Sequence, residues 1–235
     1  MPNSSPDPDD DLPPPGWKRF AEGVWLLARA WRGFGHLRPR GPEGAPPALV
    51  IPGFLANDRT TMELRRALAA KGWRVHPWGL GWNLGAKRDT IEALVERLDT
   101  IPDPRPVLVV GWSLGGVYAR ELARAVPHRV RAVVTLGSPF SGDPKANNVW
   151  RLYEWVTGHK VDNPPIPLSS TKPPVPTLAI WSRRDGIVAP GAARGLAHES
   201  DRAVELRCRH MAFGVSRRTA DQVVREIDSF LKNHA

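Results

Sequence analysis

From residue 48 onward, short continuous apolar runs alternate with stretches in which apolar residues recur at three- and four-residue steps. The runs at 48–51, 73–80, 106–112, 130–139, 176–182 and 203–210 read as strands, PVLVVGW at 106–112 most clearly. The stretches at 60–72, 89–100, 115–127 and 216–234 read as helices, with Asp89 placed to cap the second. A strand that is apolar at nearly every position is buried on both faces, and helices between successive strands supply the cover. The pattern predicts an α/β fold: a mostly parallel sheet of about six strands with helices on both faces.

The alternation stops between 140 and 175. No strand fits there. A short helix near 148–157 carries Trp150, Leu152, Tyr153, Trp155 and Val156, and a proline-rich loop follows. We read about 141–175 as an insertion, because long irregular segments in compact domains tend to be functional or disordered. Ahead of the alternating region, residues 1–16 are acidic and proline-rich and carry too little apolar surface to order. In 17–37, Trp17, Phe20, Val24, Leu27, Ala28 and Trp31 form a stripe set against Lys18, Arg19, Glu22, Arg29 and Arg32, which predicts an amphipathic helix. Two readings of that helix stand open. It packs on the domain and covers a sheet edge, or residues 17–34 lie at a membrane surface.

The 235 residues, 41% hydrophobic, suit one domain over 46–235 with a sizeable core. The single cysteine, Cys208, allows no internal disulfide and predicts a reducing, cytoplasmic setting. The N-terminus lacks the basic and apolar regions of a signal peptide, and no run is long and apolar enough for a membrane span. Net charge is +9, but the basic residues are scattered and match no nucleic-acid motif, so no nucleic-acid partner is expected.

One serine stands in an unusual place. Ser113, in LVVGWSLGG, follows the clearest strand, begins the next helix and has Gly111 and Gly115 on either side. G-x-S-x-G between strand and helix is a nucleophile elbow, with small residues where backbone must pass close. A serine hydroxyl needs a base, and the base needs an orienting acid, in the chain order serine, acid, histidine. Asp185 follows the strand at 176–182, and His210 ends the strand at 203–210. Asp143 and Asp162 are rivals for the acid. Of the other histidines, 36 and 76 precede the serine, 128 lies on the far side of the sheet, 159 in the insertion, 198 in a helix-like stretch and 234 at the chain end. An oxyanion needs two donors, and the N–H groups of Phe54 and Leu114 are placed to supply them.

Ser113, Asp185 and His210, with IPGFLAND upstream, resemble an α/β-hydrolase over about 46–235, most like compact bacterial lipases and esterases. GWSLGGVYARELA, VVTLGSPFSGDP, RRDGIV and the WGLGWNLG loop at 78–85 are similar to their motifs; Pro52 stands where such relatives often carry histidine. The resemblance implies hydrolysis of carboxylic esters through an acyl-enzyme, without cofactor or metal, on a small-molecule ester or lipid. It makes the insertion a small helical cap whose Trp150, Tyr153 and Trp155 line an apolar acyl site with Leu55, Trp112 and Met211. The alternative for these aromatics is that they hold the cap onto the domain. Acyl transfer or thioester cleavage with the same residues is a second reading, and a non-catalytic lipid- or partner-binding relative a third. Oligomeric state is left open.

Overall fold

A computed structural model describes residues 38–142, 150–158, 160, 163, 165–166, 169 and 171–234. The tail at 1–16, the helix at 17–37, Asp143, Asp162 and His159 lie outside the described residues, as does the side chain of Trp155.

The chain order is β1 (Pro47–Ile51), α1 (Met62–Ala70), β2 (Arg74–Pro77), α2 (Thr90–Asp99), β3 (Val107–Trp112), α3 (Leu114–Ala125), β4 (Val130–Leu136), α4 (Trp150–Thr157), β5 (Thr177–Trp181), α5 (Pro190–Arg194), β6 (Arg202–Glu205), α6 (Ala212–Val215) and α7 (Arg217–Lys232). The strands form one six-stranded sheet in the order β2-β1-β3-β4-β5-β6, and every pairing is parallel. This is the α/β architecture that the apolar runs predict.

Successive strand residues face opposite sides, which explains why the central strands are apolar throughout. Ala48, Val50, Leu108, Val110, Val134 and Ile180 pack with Leu64 and Leu68 of α1 and Val223, Ile227 and Phe230 of α7. Leu49, Ile51, Val109 and Val133 pack on the other face with Leu94 and Leu98 of α2 and Tyr118 and Leu122 of α3. The first edge is partly covered by residue 40, whose N–H and carbonyl both bond Val75 of β2, at 2.8 and 2.7 Å.

Several elements end earlier than the apolar pattern suggests. Strand 73–80 stops at Pro77 because the carboxylate of Asp58 takes the next two N–H groups, those of Trp78 at 2.9 Å and Gly79 at 3.1 Å. Strand 203–210 stops at Glu205. Leu206 N–H donates to the carbonyl of Trp181 at 2.8 Å, and β5 ends at that residue, so no ladder lies beyond. Asp89 sits at the start of α2 but its side chain makes no capping bond.

His76, on β2, is buried, and that burial, aided by Arg97 and Arg74, lowers its pKa to about 4. In the unfolded chain it titrates near its ordinary value of about 6.5. Between these values the unfolded state binds more protons, so stability falls as pH is lowered from about 6.5 towards 4. Chemical denaturation across that window should show this loss, and His76→Gln should flatten it.

Candidate active site

β3 ends at Trp112 and α3 begins at Leu114, so Ser113 alone makes the turn, at φ 54° and ψ −124°. Among the described residues only Ser113 and Leu55 of the non-glycines have positive φ. Such a conformation costs roughly 1–3 kcal/mol and persists only where the surroundings fix it. Ser113 N–H donates to the carbonyl of Leu136 at 2.8 Å, tying the turn to the end of β4. Gly115 is needed for passage: a β-carbon there would lie 2.4 Å from the carbonyl oxygen of Ile51.

The loop after β1 runs alongside. A β-carbon on Gly53 would lie 3.0 Å from that of Ser113. Among the described residues, neither Phe54 N–H nor Leu114 N–H donates to a protein acceptor. The Leu114 group is one of the unpaired donors that open any helix. A pair of N–H groups beside a strained serine is a place where negative oxygen can be held.

The motif WGLGWNLG stands out in the sequence, but not what its asparagine does to this loop. Asn83 is 1% exposed, and its Nδ2 donates to the carbonyl of Pro52 at 2.9 Å. Its backbone carbonyl accepts from Leu55 N–H at 2.7 Å, and its own N–H donates to the carbonyl of Ala56 at 2.8 Å. Asn83 thus holds both sides of Phe54 and fixes Leu55 in its positive-φ state. The available signal was an asparagine among alternating apolar residues and glycines in WGLGWNLG.

Asp185 and His210 meet as the sequence order suggests. Nδ1 of His210 lies 2.7 Å from Oδ2 of Asp185, and the two residues are 2% and 1% exposed. Oδ1 of Asp185 accepts from the N–H groups of Ile187 and Val188, both at 2.8 Å. Ser182 ties the two loops together, its hydroxyl donating to the carbonyl of Cys208 at 2.6 Å. A carboxylate held this way keeps the proton on Nδ1 and leaves Nε2 as an acceptor. The imidazole ring lies against Trp112, centroids 5.8 Å apart. Gly137, at φ 53°, closes the space between: a β-carbon there would lie 2.9 Å from Oδ2 of Asp185 and 3.2 Å from Nδ1 of His210.

The residues expected around an acyl chain fall into two groups. Trp112 and Met211, 2% and 5% exposed, belong to the core layer that backs His210. Leu55, Leu114 and Trp150 are half-buried. Tyr153 of α4 packs on Phe54, ring centroids 5.2 Å apart, and its hydroxyl accepts from Ala86 N–H at 3.4 Å. Burial raises the pKa of that hydroxyl. α4 therefore sits over the loop carrying Phe54. The far end of the insertion is fixed to α3: Glu121 accepts from Ser169 N–H at 3.2 Å, and Arg120 donates to the carbonyl of Thr171 at 3.1 Å. Among the described residues no group of three or more His, Cys, Asp or Glu is arranged to hold a metal, and no helix is long and apolar enough to cross a membrane.

A model of the alpha/beta hydrolase fold matches residues 31–159. The chain is similar to lipase LipV of Mycobacterium tuberculosis, 36% identical over 109 residues, covering 43% of this chain and 40% of the relative. It is also similar to homoserine O-acetyltransferase of Geobacter sulfurreducens, 27% identical over 147 residues, covering 56% of this chain and 40% of the relative. The chain thus spans 40% of the length of each of these curated relatives. Among solved structures, naproxen esterase from Bacillus subtilis aligns with a TM-score of 0.56 at 15% identity, covering 90% of this chain and 96% of that one. At that identity the likeness speaks to the fold.

Proposed function

The chain belongs to the α/β-hydrolase fold family, and from that premise we propose a serine hydrolase that cleaves carboxylic esters of apolar acyl groups. Ser113 Oγ attacks the ester carbonyl carbon while Nε2 of His210 takes its proton. Asp185 holds the imidazole and stabilises the imidazolium. The carbonyl oxygen, now an oxyanion, accepts from Phe54 and Leu114 N–H. Collapse of the adduct breaks the bond to the alkoxy oxygen, which leaves as alcohol with the proton from His210. Water, losing a proton to His210, then attacks the acyl carbon; collapse breaks its bond to Ser113 Oγ, which takes that proton back, and the carboxylic acid leaves. These steps need no cofactor or metal. The acyl group lies beside Leu55, Leu114, Trp150 and Tyr153, with Trp112 and Met211 behind. With Cys208 as its single cysteine, the enzyme is suited to a reducing, cytoplasmic compartment.

The observation that carries the reading is the buried His210–Asp185 contact of 2.7 Å, with the imidazole against Trp112, the residue before a serine at φ 54°. A chain-length series of p-nitrophenyl esters tests it. Turnover should rise from acetate to medium-chain esters, as an apolar pocket requires. Inertness at every length would count against it. The similarity to homoserine O-acetyltransferase favours a second reading, acyl transfer. Adding an alcohol or thiol acceptor and analysing products separates the two: free acid supports hydrolysis, the acceptor's ester or thioester supports transfer.

Asn83→Ala should lower kcat by about 10- to 100-fold with little change in KM, because small misplacement of a catalytic donor is that costly. The split matters. A defect confined to folding would lower the active fraction, as read by burst titration, and leave kcat per active site unchanged.

A further inference from the structure

Four large apolar side chains among the described residues are conspicuously exposed, and three fall within five positions of one loop: Leu80 at 41%, Trp82 at 54% and Leu84 at 50%. They alternate with Gly81 and the buried Asn83. The loop is not slack. Nε1 of Trp78 donates to the carbonyl of Gly81 at 2.9 Å, and Asn83 is bonded through side chain and backbone to the loop carrying Phe54. Gly79, Gly81 and Gly85 all have positive φ. Among the described residues nothing covers these three apolar side chains, and each costs free energy while it stays wet.

We propose that the tip formed by Leu80, Trp82 and Leu84 inserts into the headgroup region of an anionic lipid surface. Size and charge select this occupant. A stable pair of protein chains buries roughly 1,200 Å² or more, which three partly exposed side chains do not approach. A small protruding tip with a tryptophan suits a bilayer interface, where that ring is favoured. Lys87 and Arg88 follow in the same loop with Asp89, all three exposed, which leaves this stretch net basic, and the chain as a whole carries +9. A net basic stretch next in sequence to an apolar tip is complementary to acidic headgroups. Because Asn83 joins the tip to the loop beside Ser113, docking would bring the mouth of the site to the membrane. The binding itself does not depend on the proposed ester cleavage.

The test is sedimentation of the full chain with vesicles of phosphatidylcholine alone or with phosphatidylglycerol, reading bound protein rather than turnover. The wild-type chain should partition onto the mixed vesicles. Leu80→Ser/Trp82→Ser/Leu84→Ser should weaken that partition by ~10-fold or more. Lys87→Glu/Arg88→Glu should weaken it on mixed vesicles by about 10-fold while leaving any binding to pure phosphatidylcholine unchanged. Thermal melting checks that each variant folds; if the triple change does not, Trp82→Ser alone takes its place and should still weaken binding severalfold. Failure of the wild-type chain to bind, or equal binding by the variants, overturns the proposal. A dimer that the triple change dissolves, seen by light scattering, would also overturn it and assign the tip to a second copy. Loss of turnover with vesicle binding intact would reject the ester hydrolase and leave the lipid surface standing.

Discussion

Ser113→Ala is expected to lower kcat on a medium-chain p-nitrophenyl ester by roughly 10^4- to 10^6-fold, with KM little changed. In the proposed mechanism this residue supplies the attacking oxygen. Stability should stay within about 1 kcal/mol of wild type, because alanine at φ 54° suffers the same backbone strain as serine. Ser113→Gly sharpens the point. Glycine adopts positive φ freely, so this variant should be as inactive as the alanine one yet more stable by about 1 kcal/mol. Equal melting temperatures for the two variants would remove strain from the argument. Substantial turnover by either would remove Ser113 from the mechanism.

Asp185→Asn should cost about 10^4-fold in kcat, and the reason lies in which oxygen does what. Oδ1 of Asp185 accepts two backbone N–H groups, from Ile187 and Val188. An asparagine keeps those bonds only by placing its own oxygen there. Its NH2 group then faces Nδ1 of His210, 2.7 Å from the position of Oδ2. The imidazole must turn acceptor at Nδ1 and carry its proton on Nε2, the wrong tautomer for a base. The fold should survive, since both backbone bonds remain. The double variant with Ser113→Ala should be little worse than Ser113→Ala alone, because groups that act as one unit are not additive. Kinetics of the three variants at one pH check this.

Much of this arrangement is legible in the sequence, for physical reasons that also mark where legibility stops. Strands buried on both faces must be apolar at each position, so β1, β3, β4 and β5 stand out. Their ends depend on neighbours. His210 lies five residues past the end of β6, because the pairing strand runs out at Trp181. Helices α5 and α6, of 5 and 4 residues, are too short to show a period. Ser113 is visible because glycines are the only residues that let a helix start so near the first strand. Asp185 and His210 are visible by order and by position after strands. Asn83 is visible only as part of a family-like motif; its role is not, because it acts by bonding main-chain groups of a loop distant in sequence, and main-chain groups carry no residue code. The same holds for Arg120 and Glu121, which secure the insertion to α3 through backbone at 169 and 171.

The most direct measurement is covalent labelling with a fluorophosphonate, followed by peptide mass spectrometry. Attack on phosphorus needs the same activated oxygen and the same oxyanion donors as attack on an ester. One label per chain, located on Ser113 and slowed at least ~100-fold in the His210→Ala variant, is the expected result. No label, a label on another residue, or equal labelling of wild type and His210→Ala would contradict the assignment of Ser113 as the activated nucleophile.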